Sequence, residues 1–86
     1  MLTPVFIEFL GTSLLIAAVA FGTPLLIVAA LAIAISFGGK ISGGHFNPAI
    51  TVYQFIVGHI SLSKAFMYIS AQVAAGLGIG LIAGMV

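Results

Sequence analysis

The sequence contains no cysteine and only three charged side chains, Glu8, Lys40 and Lys64, among 86 residues. Without cysteine there is no disulfide staple, and two histidines cannot close a zinc site alone. One carboxylate and no Ser/His/Asp grouping at a recognisable turn leave no catalytic set, so the chain does not read as an enzyme. No cofactor is called for. The basic patch that a nucleic-acid footprint requires is missing too. Charged residues make up 3% of the chain and apolar residues 63%. A soluble domain carries about 25% charge. So few polar groups cannot cover a core in water, and a chain this short buries little surface. Its solvent is lipid, and part of its core must be lent by other helices or chains.

The apolar residues are arranged in runs. A bilayer core of about 30 Å needs roughly 20 residues of helix. Residues 3–21 fit that length, with Pro4 near the first helical position, where its missing N–H costs nothing. The start has no basic segment and is interrupted by Pro4 and Glu8, so it reads as a mature span rather than a cleaved signal. Gly22, Thr23 and Pro24 then break the helix. A second run predicts a helix over 24–39, which reaches span length only if Pro24 and Gly38-Gly39 take part. A third, over 62–86, spans with some tilt, and Ser61 or Ser63 is placed to cap it.

Between the second and third spans lies a different segment, 40–58. From Gly38 to Thr51 there are four of the chain's eleven glycines, which predicts irregular backbone. Pro48 to Val57 then reads as a helix of about 15 Å, half a membrane, with Asn47 as N-cap and Pro48 at N1. This stretch has no charge and carries Ile50, Val52, Tyr53, Phe55, Ile56 and Val57, too apolar for a loop in water. A re-entrant loop is the better reading, because irregular backbone at membrane depth is tolerated where it lines a watery cavity or is buried in protein. Such a half-helix points its positive dipole end at the membrane centre. Its free N–H groups and the Asn47 amide would be donors, and the carbonyls from Gly43 to His45 acceptors. The positive end also repels cations.

The segment Ser42-Gly43-Gly44-His45-Phe46-Asn47-Pro48-Ala49-Ile50-Thr51 resembles the first signature loop of the aquaporin/glyceroporin (major intrinsic protein) family. Glu8-Phe9-Leu10-Gly11-Thr12 resembles that family's first-helix motif, and Tyr68 with Gln72 its third-helix pattern. The resemblance covers the whole chain but only one half of the family fold. It implies an all-α membrane protein with three transmembrane helices and one re-entrant half-helix, one repeat of an inverted pair. By the same resemblance, Asn47 donates its amide to the permeating molecule. Gly43, Gly44 and the His45 backbone line a vestibule with carbonyls. Pro48 and Ala49 meet the opposing half-helix, and Glu8 is buried behind the loop and holds it.

Glu8, Gly11 and Thr12 lie at i, i+3 and i+4, so they share a face able to approach the loop closely. A membrane carboxylate also admits a proton- or cation-coupled role, which the bracing role outweighs. Tyr68, Gln72, Gly76, Gly80 and Gly84 form a small-residue stripe, as do Ala30, Ala34 and Gly38, and both read as packing surfaces. Gln72 is expected to cross-link helices or the half-helix, the His45 side chain to brace the loop, and His59 to lie in a solvated turn. Two departures from the family pattern stand out. The constriction position on the second helix falls at Ile27, and Asn-Pro-Ala is followed by Ile50 where a second signature loop has arginine. A pore of this chain alone would be wider and more apolar, suited to water or small uncharged polyols.

Lys40, Lys64 and the N-terminus fall on one side, which the positive-inside rule places in the cytoplasm. One half-helix gives half a pore wall. The expected partners are therefore the bilayer and a second inverted half repeat, either a downstream half of a longer protein or an antiparallel copy of this chain, within a higher oligomer. The competing classes are a dual-topology coupled transporter working through Glu8, and a fragment that inserts without conducting.

Overall fold

The computed structural model describes residues 2–86, and in it the apolar runs are long helices: α1, Leu2–Phe21; α2, Pro24–Ser42; and α4, Leu62–Met85. A short helix, α3, Pro48–Ile56, stands between the last two. There is no strand among the described residues. At 1.5 Å per residue the long helices measure about 28 to 36 Å, enough to cross a bilayer, and α3 about 14 Å.

Local chemistry sets the boundaries. Only Gly22 and Thr23 join α1 to α2, and the Thr23 hydroxyl accepts from Leu26 N while Pro24 opens the helix. Asn47 Oδ1 caps α3 by accepting from Ala49 N at 2.8 Å. Ser61, not Ser63, caps α4 by accepting from Lys64 N. Gly43, at φ 95°, ends α2 in the left-handed region and donates its N–H to Gly39 O.

The main departure from the sequence reading is in α2, expected to stop at residue 39. It continues to Ser42, and Gly38 and Gly39 are helical. Gly38 is there for closeness, not for irregular backbone. A Cβ on Gly38 would lie 2.7 Å from Ile7 Cγ2 and 3.3 Å from Phe46 Cζ. The irregular backbone is confined to 43–47. The α1, α3 and α4 limits differ from expectation by one residue each, the ordinary fraying of helix ends.

α1 packs against both α2 and α4, and α3 packs on α4. The interior is unusual in its chemistry. The largest fully buried side chains are Tyr68, Phe46, Gln72, Glu8 and Thr51. The aliphatic bulk faces outward instead, with Phe37 80% and Leu81 70% exposed. That inversion suits a hydrocarbon solvent, in which polar groups must find partners inside. Small residues let the helices meet: Ala30, Ala34 and Gly38 are all buried on α2. On α4 the small-residue stripe is used only in part, since Gly76 lies against Ile16 while Gly80 and Gly84 have no side chain of this chain within 4 Å of a Cβ position.

Candidate functional site

The loop 43–47 folds back between the helices at the level of Gly11, near the middle of α1. Phe46 is the wedge that sets this depth. It is 2% exposed, takes φ 54°, and lays its ring over Gly11 and Gly38. A positive φ is unusual for an aromatic residue and persists only where surrounding contacts hold it. Those contacts come from Glu8. Its Oε1 accepts from Phe46 N at 2.7 Å and Gln72 Nε2 at 2.9 Å. Its Oε2 accepts from Ser42 Oγ at 2.7 Å and His45 N at 3.1 Å. One carboxylate thus ties together α1, the end of α2, the loop and α4, with each oxygen taken by two donors.

A second layer surrounds this one. Ser42 Oγ accepts from Gly44 N, and Tyr68 donates its hydroxyl to Ser42 O at 2.6 Å. Thr51, on the buried face of α3, contacts His45 Nδ1 through Oγ1 at 2.9 Å and accepts from Gln72 Nε2 at 2.9 Å. The His45 ring sits edge-on to Tyr68 with centroids 5.0 Å apart, and Lys64 Nζ lies 5.4 Å from the Tyr68 centroid. Tyr68→Phe removes one buried hydrogen bond and leaves Ser42 O unpaired. It is expected to lower stability by about 1–3 kcal/mol, read as a lower thermal midpoint in detergent or lipid.

The open side of the loop has a different character. Gly43, Asn47, Pro48 and Ala49 are exposed and Gly44 half-buried. Among the described residues no hydrogen bond ends on the carbonyl of Gly43, Gly44 or His45. Asn47 spends Oδ1 on the cap, which turns its Nδ2 donor outward. Fewer backbone donors are available at this corner than the sequence reading assumed, since Pro48 has no N–H and that of Ala49 is taken by Asn47. The corner therefore presents the Asn47 side-chain amide beside a run of carbonyl acceptors.

A model of the major intrinsic protein family matches residues 2–86. The chain belongs to that family. Among individual relatives, a human protein named Aquaporin-5 is 36% identical over 98 positions, covering 98% of this chain and 37% of the relative. A maize protein, Aquaporin TIP1-2, is 56% identical over 43 residues, 50% of this chain and 17% of its own length. A Medicago truncatula protein, Probable aquaporin TIP-type, is 46% identical over 48 residues, 56% and 19% respectively. The chain thus spans about a third or less of the length of these relatives. No solved structure matches it.

Within this major intrinsic protein chain, the structure brings Glu8, Gln72, Gly43, Gly44, His45, Asn47, Pro48 and Ala49 to one loop. Ile27 stands apart, half-buried on the first turn of α2, at the opposite end of that helix from Gly43. A cleft of about 370 Å³ between α1 and α2, lined by residues such as Leu14, Phe21, Leu26 and Ile33, contains none of these site residues. His59 is exposed and bonded back to α3, its Nδ1 2.6 Å from Gln54 Oε1. Sequence reasoning gave no role to Ser42, Thr51 or the Phe46 wedge. Gly11, on the helix face shared with Glu8, was the available hint that something approaches closely there. Ser42 and Thr51 carried none beyond being polar residues in an apolar setting.

Proposed function

We propose that this chain forms half of a passive membrane channel for water or small uncharged solutes such as glycerol. The observation that carries this reading is the exposed Asn47 amide, turned outward at mid-helix depth beside three unpaired carbonyls. A solute shedding water there meets a donor and several acceptors on one wall. The start of α3 adds a positive dipole end that disfavours cations. Full membership of the family over residues 2–86 supports the same reading. Pro48 and Ala49, exposed at the tip, are the surface for an opposing half-helix from a second, inverted repeat. That repeat is either another segment of a longer polypeptide or an antiparallel copy. Lys40 in the last turn of α2 and Lys64 in the first turn of α4 mark one membrane face, assigned here to the cytoplasm with the N-terminus.

Glu8 fits the bracing role better than a proton-carrying one, because both its oxygens are already occupied by donors of the chain. The reading is tested by osmotic shrinkage of proteoliposomes with stopped-flow light scattering. Asn47→Ala is expected to bring water and glycerol flux down to near the lipid background, since it removes both the cap and the exposed amide donor at the corner. Unchanged rates in a folded Asn47→Ala variant would overturn the channel assignment. Solute flux that requires a pH gradient would place the chain with coupled transporters instead.

A further inference from the structure

We infer that Glu8 fixes the tautomer of His45 from a distance, through Gln72 and Thr51, and so presents His45 Nε2–H as a second donor on the vestibule side of the loop. The chain of reasoning begins at Gln72, whose side chain is 2% exposed. Its Nε2 lies 2.9 Å from Glu8 Oε1 and 2.9 Å from Thr51 Oγ1, so both amide hydrogens are used. The amide cannot be turned around, because its oxygen would then face the Glu8 carboxylate. Gln72 Oε1 accordingly has no partner among the described residues, although it is sealed from solvent. The anion at Glu8 therefore determines which end of Gln72 reaches Thr51.

Thr51 Oγ1 is thus an acceptor from Gln72 and keeps one hydrogen of its own. The residue is fully buried, and the other polar group within reach of Oγ1 is His45 Nδ1, at 2.9 Å. If Nδ1 carried a hydrogen, the Thr51 hydroxyl hydrogen would be left buried without an acceptor, which is costly. The arrangement that satisfies both Thr51 and Nδ1 has Thr51 O–H donating to Nδ1, which puts the ring hydrogen on Nε2. Among the described residues Nε2 has no hydrogen-bond partner and is not one of the sealed polar atoms. It lies 3.4 Å from the position of a Cβ on Gly43, which is exposed. A glycine there leaves the nitrogen's approach open. The resulting donor lies on the Gly43 side of the loop and adds to the Asn47 amide. Glu8, Gln72 and Thr51 are positioning residues in this scheme, and His45 Nε2–H is the group that meets solute.

The tautomer follows from bonds inside the chain. That the donor meets solute rests on the channel reading. The test is solid-state ¹⁵N NMR of the histidine-labelled chain in lipid vesicles at pH 7.5, with His59→Gln used to leave one histidine signal. The expected result is a single neutral form with hydrogen bonded to Nε2 alone. Thr51→Val is expected to lose this single form and give a mixture with Nδ1–H, while Thr51→Ser keeps it. Hydrogen on Nδ1 in the otherwise unaltered chain, or an unchanged spectrum in Thr51→Val, would overturn the inference. The Thr51→Ser spectrum and the parent spectrum stand even if the valine variant does not fold. A vesicle preparation without flux but with the Nε2–H signal would sink the channel assignment and leave the tautomer intact.

Discussion

Glu8→Ala is expected to release the loop and remove flux altogether. The substitution leaves Ser42 Oγ, His45 N, Phe46 N and Gln72 Nε2 without their acceptor in a region closed to solvent. A buried donor left unmade costs about 1–3 kcal/mol, so four together approach the whole stability of a domain, roughly 5–15 kcal/mol. Ser42 can turn its hydroxyl elsewhere, toward Gly38 O at 3.3 Å, which trims the total. The two backbone N–H groups of the loop have no such freedom. Glu8→Gln should fall between: the shape is kept, but one carboxylate oxygen becomes a donor aimed at donors, at a cost of about 1–3 kcal/mol per backbone group left unpaired. Glu8→Asp should fail nearly as badly as alanine, because one methylene less withdraws both oxygens from the loop. Thermal unfolding and proteoliposome shrinkage, measured together, give the order parent, glutamine, then aspartate and alanine. A midpoint in Glu8→Ala equal to the parent's would remove Glu8 from its place at the centre of the loop.

Gly11→Ala carries the second large effect, and its sign is diagnostic. Helix propensity alone favours alanine over glycine by about 1 kcal/mol. The structure opposes it. A Cβ at residue 11 would overlap the Cε1, Cδ1 and Cζ atoms of the Phe46 ring. Overpacking of this kind typically costs 1–3 kcal/mol, and here the ring cannot swing far, since Phe46 is buried and its backbone is held at φ 54°. The net expectation is destabilisation by about 1–2 kcal/mol with loss of flux, because the residue displaced immediately precedes Asn47. Phe46→Leu combined with Gly11→Ala should recover part of the loss, giving a favourable interaction energy in a double-mutant cycle. A stabilised Gly11→Ala variant would mean that the loop does not rest on α1 at this point.

The spans, the half-helix and its cap were legible in the sequence because hydrophobic run length and the Asn-Pro pair are local signals. Glu8 was legible as well, since a lone carboxylate in an apolar helix must be matched by something. Ser42 and Thr51 were not. Their roles depend on three helices meeting, and nothing in the spacing of either residue announces a partner 34 or 21 positions away. Gly38 and Gly39, placed both at the end of the expected helix 24–39 and at the start of the glycine-rich stretch, were ambiguous for a physical reason. Glycine serves two needs, freedom of φ and absence of bulk, and a single sequence does not separate them. At Gly43 the first need governs, with φ 95°, and at Gly38 the second, with Ile7 and Phe46 pressed against it.

The way Glu8 gathers its donors also imposes an order on the chain's making. α1 and α2, joined by two residues, can enter the bilayer as a hairpin, yet that hairpin offers the carboxylate only Ser42. The loop contributes two further donors, and the fourth, from Gln72, arrives with α4. Until then the anion is under-served and the loop lacks the Tyr68 strut beneath it. Of the four described helices, α4 follows the other three in the chain and is the one that locks α1.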